Sequence, residues 1–141
     1  YDFNQLEKEI ATHPELYSSE TTPFTWDVMY EGMTGRRPGE GNTEPTWWGQ
    51  TMKSPTKVAS TGGTIATTNG VSNTDGTGFN ALLVGYLDGD IATNYGTFTI
   101  FWSGSVGSAT IAWRRGLVNS NSSAIRSTFN KYYSFSVRCK K

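Results

Sequence analysis

The chain has 141 residues, with 12 Lys and Arg against 12 Asp and Glu, so its formal net charge is zero. That length accommodates one domain with one core, and the charge balance excludes a basic groove for nucleic acid and an acidic solvating tail. Charged residues make up only 17%, aromatics reach 13% and Gly numbers 16, the composition of a β-rich, loop-rich domain rather than a helical bundle.

No apolar run reaches the roughly 18 residues that a membrane-spanning helix needs. The chain opens on Tyr1, shows no signal peptide and reads as a trimmed C-terminal portion of something longer. The first element is a helix over residues 1–11, where Phe3, Leu6 and Ile10 form one apolar stripe. Asp2 suits its N-terminus and Pro14 limits its extent. The single His, His13, has no ligand cluster at metal spacing and reads as a solvated helix-end residue. A second short helix is expected over 23–33, with Pro23 in its first turn and Phe24 and Val28 packing inward.

Residues 34–50, with two Pro and four Gly, read as an irregular loop. Within it Trp47 and Trp48 cannot both face one way; one belongs to the core and the other either packs under the loop or, as Trp48, joins a binding surface. Glu40, Asn42 and Glu44 offer oxygens for calcium, but their spacing matches no dedicated loop, and no cofactor is expected. Residues 54–78, rich in Thr, Gly, Asn and Ser, read as a long packed surface loop. In 79–87 Phe79, Ala81, Leu83 and Gly85 alternate against Leu82, Val84 and Tyr86, and Asp88-Gly89-Asp90 then turns the chain as a hairpin.

From Asn94 onward the chain contains no acidic residue. Three strands are expected there from period-two spacing: Phe98, Ile100 and Trp102; Ile111 and Trp113; Tyr133, Phe135 and Val137. Gly104–Ser108 and Val118–Ser123 connect them. The residues between are small, polar or aromatic, the vocabulary of a contact surface. Arg114-Arg115 are expected to point to opposite faces, one toward solvent or a ligand and the other toward a carboxylate such as Asp88. Tyr132 and Tyr133 divide in the same way between framework and contact. Phe129, an apolar ring in a polar run, reads as a ligand anchor or an oligomer contact. Cys139, the single cysteine, excludes an internal disulfide and reads as a buried thiol. No catalytic constellation is visible: Asp75, Asp88 and Asp90 each sit beside or near Gly in turn-like sequence, and no Gly-rich stretch has the phosphate-cradling pattern.

GFNALLVGYLDGD (78–90), FWSGS (101–105), AWRRGL (112–117) and SFSVRCKK (134–141) occur in an order that resembles the Fibrobacter succinogenes major paralogous domain family. That family carries Gly-Phe-Ser-Ala-Leu-Pro-Gly-Gly-Tyr, then Trp-Ser-Ser, then Ala-Trp or Ala-Tyr, and ends in Gly-Phe-Ser-Val-Arg-Cys. Met52-Lys53-Ser54 resembles its Leu-Lys-Ser, and Tyr1–Ile10 its first helix. Leu83-Val84 replaces the family's Pro-Gly, Ser134 its Gly, and the upstream strand is missing. The resemblance implies an α+β, C-type-lectin-like domain over 1–141, with two short helices, long loops and a twisted antiparallel sheet. Its terminal strand, Phe135–Arg138, would pair with an N-terminal strand supplied from elsewhere.

The same fold hosts formylglycine-generating enzymes, whose copper-binding cysteine pair this chain lacks, and receptor-binding proteins diversified by retroelements. The layout is similar to the latter. Trp102, Trp113, Phe135 and Val137 would be framework. Ser108, Thr110, Arg114, Arg115, Asn119, Asn121, Ser127, Thr128, Phe129, Tyr132 and Tyr133, with Trp48, would form a ligand-binding surface. The expected protein is a non-enzymatic adhesion module for a protein or glycan receptor, located on a bacterial surface or a phage tip. A structural subunit using the same surface to form homo-oligomers is the alternative.

Overall fold

A computed structural model of the chain describes residues 2–17, 26, 35–36, 48–53, 79, 81–119 and 124–138. It is a mixed helix and sheet structure, dominated by antiparallel strands. Helix α1 spans Asp2–Thr12 and gives way at Pro14 to a 3-10 turn, Pro14–Leu16. Strand β1 is Gly35–Arg36, helix α2 Trp48–Thr51, β2 Tyr86–Asp88, β3 Ile91–Thr93, β4 Phe98–Val106, β5 Ile111–Val118 and β6 Ala124–Asn130. The main sheet runs β1-β6-β5-β4, and β2-β3 form a separate hairpin. All of these strand pairs are antiparallel.

The register assigns each side chain to a face. Phe101 stands opposite Arg115, Thr99 opposite Leu117, and Leu117 opposite Ala124. These residues face α1, because opposed residues share a side of the pleat. Phe101 and Leu117 bury there with Ile10, Ala11, Met52, Ala81 and Leu83. Phe79 meets Phe101 edge to face at 5.4 Å and Phe3 at 5.8 Å. The predicted stripe of α1 therefore packs as expected, with Ile10 fully buried and Phe3 and Leu6 at the margin of the core. His13 is exposed at the helix end.

The 79–87 reading also holds. Ala81, Leu83 and Gly85 are buried while Leu82 and Val84 are exposed. Gly89 has φ +59° in the first central position of the β2–β3 turn, the place that a type II′ turn gives to glycine.

Four expectations need correction. Residues 34–50 are not wholly irregular: Gly35–Arg36 pairs with Arg126 and Ile125 of β6, covering part of an edge that would otherwise present unpaired backbone, and α2 begins at Trp48. Gly104–Val106 is not a connector but the continuation of β4 past an irregularity between Trp102 and Val106. Ala124–Asn130, not among the three expected strands, is β6, paired along its length with β5. The terminal strand is reduced to single bridges at Ser134 and Ser136. Its partners are Leu87 of the hairpin and Phe101 of β4, and Val137, expected to be half-buried, is 73% exposed. The helix expected over 23–33, apart from Trp26, the loop at 54–78, the Glu40–Glu44 oxygens and Cys139 lie outside the described residues.

Candidate functional site

The opposite, outer face of the sheet carries Phe98, Ile100 and Trp102 from β4, Ala112, Arg114 and Gly116 from β5, and Ile125, Ser127 and Phe129 from β6. Part of this face is roofed. Trp102 N–H donates to the Ser136 carbonyl and Ser136 N–H to that of Ile100, which anchors the terminal segment along β4. The anchored segment lays Phe135 against Trp102, ring centroids 4.3 Å apart. Tyr86 of the hairpin meets Phe135 at 5.5 Å, Tyr133 at 6.2 Å and Phe98 at 6.5 Å. Phe129 completes the group, 4.7 Å from Tyr133 and 5.6 Å from Phe135. Edge-to-face and offset rings of this kind attract beyond their buried area.

Several large side chains of β4, of the hairpin and of the turn after β6 remain exposed. Val106, which stands opposite Ala112, is 69% exposed. Tyr132 is 59% and Ile91 71% exposed. Tyr132 lies 4.2 Å from the Tyr133 ring and donates a long 3.4 Å hydrogen bond to Asp88. The hydrogen bond with Tyr133, then burial, then the Asp88 charge push its phenol up to about 12.

Arg114 occupies the border between roofed and open parts. Its guanidinium lies 5.2 Å from the Phe129 ring centroid and 5.8 Å from that of Phe98. Gly116 makes that position possible: a Cβ there would stand 2.5 Å from Arg114 Nη1 and 2.8 Å from the Phe98 ring. Arg114 Nε and Nη1 are buried without a hydrogen-bond partner, and so is the hydroxyl of Ser127, directly opposite Arg114 in the β5–β6 register. Burial lowers the pKa of the guanidinium. The two ring contacts supply cation–π attraction but no acceptor for the N–H groups.

The adjacent arginine behaves differently. Arg115 is 3% exposed and donates from Nε to Glu7, itself fully buried, at 2.6 Å. It also hydrogen-bonds Asn4 and lies over Phe3 at 5.6 Å. Its carboxylate partner is Glu7, not Asp88, and it joins the sheet to α1 rather than lining an open surface. The opposed orientation of the pair was readable from strand alternation; the partner 108 positions away was not.

The remaining members of the expected surface do not converge. Ser108 and Thr110 lie exposed in the β4–β5 turn. There the Ser108 hydroxyl accepts from the Thr110 and Ile111 amides, and the Ser108 and Ala109 carbonyls accept from Lys131 Nζ. Asn119 is at the other end of β5, where its amide donates to Thr97. The eight residues between span roughly 25 Å, so Asn119 shares no patch with Thr110. Thr128 stands opposite Trp113 on the helix face, where Arg126 stacks over Trp113 at 3.6 Å. Trp48 begins α2, but its side chain and Asn121 lie outside what is described. Arg114, Ser127, Phe129, Tyr132 and Tyr133 are the members brought together.

Sequence reasoning missed Tyr86, Asp88 and Gly116 as parts of this face. The alternation of 79–87 had placed Tyr86 opposite the core, a usable signal for the first; nothing local marks the other two. Among the described residues no group of three His, Cys, Asp or Glu side chains is placed to hold a metal ion, and no helix is long and apolar enough to cross a membrane. Fold and site together define an antiparallel sheet with a helix-packed structural face and a partly open aromatic face. Compared with protein-family models, curated proteins and solved structures, the chain matches none.

Proposed function

We propose that this chain is a C-type-lectin-like binding module of the Fibrobacter succinogenes major paralogous domain type, serving adhesion on a bacterial surface or receptor binding at a phage tip. It works by recognition on a preformed surface, with no covalent chemistry and no resident cofactor. The ordered motifs from Tyr1 to the terminal SFSVRCKK support the family assignment. One observation carries the binding assignment: half-buried Arg114, with Nε and Nη1 buried and without an acceptor, lies against the Phe98 and Phe129 rings of the outer face. A cation kept in that state costs stability, and large exposed apolar side chains grouped together mark interaction sites. Tyr and Phe anchors around one Arg are also the residue types in which binding energy concentrates.

Binding of the labelled full chain to immobilised bacterial-surface glycans and proteins tests this reading. Tyr132→Ala and Phe129→Ala should each weaken capture about ten-fold or more. Leu16→Ala, exposed at the end of the 3-10 turn, should leave it unchanged. Equal capture by all variants would overturn the assignment.

The exposed Ile91, Val106 and Tyr132 also favour a second reading, in which copies of this chain associate through the same face. Sedimentation at low micromolar concentration decides it: multimers that dissociate in the Tyr132→Ala variant would make the face an assembly contact.

A further inference from the structure

We infer that the ligand of the outer face is a carboxylated sugar, its carboxylate pairing with Arg114 and its ring lying on the tyrosines; this rests on the binding reading above. Arg114 Nε and Nη1 are buried without a hydrogen-bond partner. Across the strand pair, the Ser127 hydroxyl is likewise without a partner. Nε and Nη1 lie on different edges of the planar guanidinium, so a carboxylate would take one of them together with Nη2 in two parallel hydrogen bonds. Arg114 is only half-buried, so part of the side chain still faces outward, where such a group would enter. Ser127 adds a hydroxyl that donates to one carboxylate oxygen or accepts from a sugar hydroxyl.

The surroundings decide between anionic ligands. The chain from Asn94 to Lys141 holds no acidic residue, and with Arg115 and Arg126 on the helix face, Arg114 is the cation that β5 and β6 present on the outer face, which favours a ligand with one negative group. The hairpin rim beside Tyr132 nevertheless carries Asp88, which accepts the Tyr132 hydroxyl and is exposed, and Asp90 lies two residues on. A strongly acidic peptide would bring its further charges against these carboxylates. A uronic-type sugar has one carboxylate for Arg114 and several hydroxyls to donate to Asp88, and its ring C–H face suits the exposed Tyr132 and the half-buried Tyr133. One cation, one hydrogen-bond acceptor and a flat aromatic surface fit an acidic monosaccharide unit better than an acidic peptide.

The test is an NMR titration of the full chain with the methyl glycoside of galacturonic acid, which has one carboxylate, its methyl ester and a tri-glutamate peptide. The reporters are the Arg114 Nε–H signal and the amides of Trp102, Ala112, Ser127 and Phe129. The acid sugar should shift the Arg114 signal saturably with Kd of about 1 mM or tighter. Esterification, which removes the charge but keeps the ring, should weaken binding at least about ten-fold. Arg114→Lys keeps the charge and loses the fork, and should lose a similar factor. Gly116→Ala, which pushes Arg114 from its place without altering it, should do the same while the protein stays folded.

Equal binding of acid and ester, or tighter binding of the peptide at the same residues, would overturn the sugar-carboxylate assignment and leave the binding face standing. No shift from any probe, with capture in the surface-glycan and protein assay intact, would overturn it as well. Loss of capture in that assay too would remove both.

Discussion

The two arginines of one dipeptide face opposite sides of the sheet. Arg115 points inward, where Glu7 and Asn4 satisfy it; Arg114 points outward and finds only rings. Removing one member of a buried ion pair leaves the other charge stranded, at about 3–5 kcal/mol. Glu7→Ala should therefore cost that much in urea unfolding, and the double variant Glu7→Leu, Arg115→Met should recover most of it; additive losses would show that the pair is not coupled.

Lys53 gives a second residue-scale prediction. It is fully buried, donates to the Val118 carbonyl at 2.9 Å, and desolvation lowers its pKa to about 8. An unfolded lysine titrates near pH 10.4. Between about pH 8 and 10.4 the unfolded chain holds a proton that the folded chain has released, so stability rises with pH across that window. The full effect is about 3 kcal/mol. Unfolding free energies from pH 7 to 10.5 should rise in the native chain relative to Lys53→Met; parallel profiles would exclude a neutral buried amine.

At the scale of elements, glycine geometry pins the hairpin to the sheet. Gly85 has φ +70°, its amide donates to the Phe98 carbonyl at 2.7 Å, and a Cβ there would overlap the Thr93 carbonyl and approach the Tyr95 amide to 2.8 Å. Backbone on both sides cannot yield cheaply, so Gly85→Ala should cost at least about 2 kcal/mol, or roughly 6 °C in Tm. A variant that melts with the native chain would contradict the close packing of this segment.

The elements also show how much was legible. Helix α1, the alternation of 79–87, the Asp-Gly turn and the starts of β4 and β5 follow local periodicity, and periodicity found them. Strand β6 has the same alternation, Ile125, Ser127 and Phe129 against Ala124, Arg126 and Thr128. A buried Arg over Trp113 and a buried Ala hide its apolar side. The terminal segment failed in the opposite direction: Tyr133, Phe135 and Val137 have strand spacing, but edge space beside β4 is shared with Gly85, so only Ser136 bridges to it. Of the expected surface, the members on the β5 and β6 outer face and in the following turn converge. Arg115 and Asn119 do not, because facing and position along a strand depend on register, which single residue types do not carry.

For the whole molecule, the sheet divides labour between its faces. The helix face holds the core and the buried ion pair, and changes there should alter stability. The outer face is roofed only in part, and changes at its open end should alter partners while leaving the fold intact. That division can be tested without knowing the ligand. The measurement is the sequence of this gene across many sibling isolates. Substitutions should concentrate at Val106, Ser127, Phe129 and Tyr132, with Glu7, Lys53, Gly85, Phe101 and Arg115 held constant. Substitutions spread evenly over both faces, or concentrated beneath α1, would contradict it.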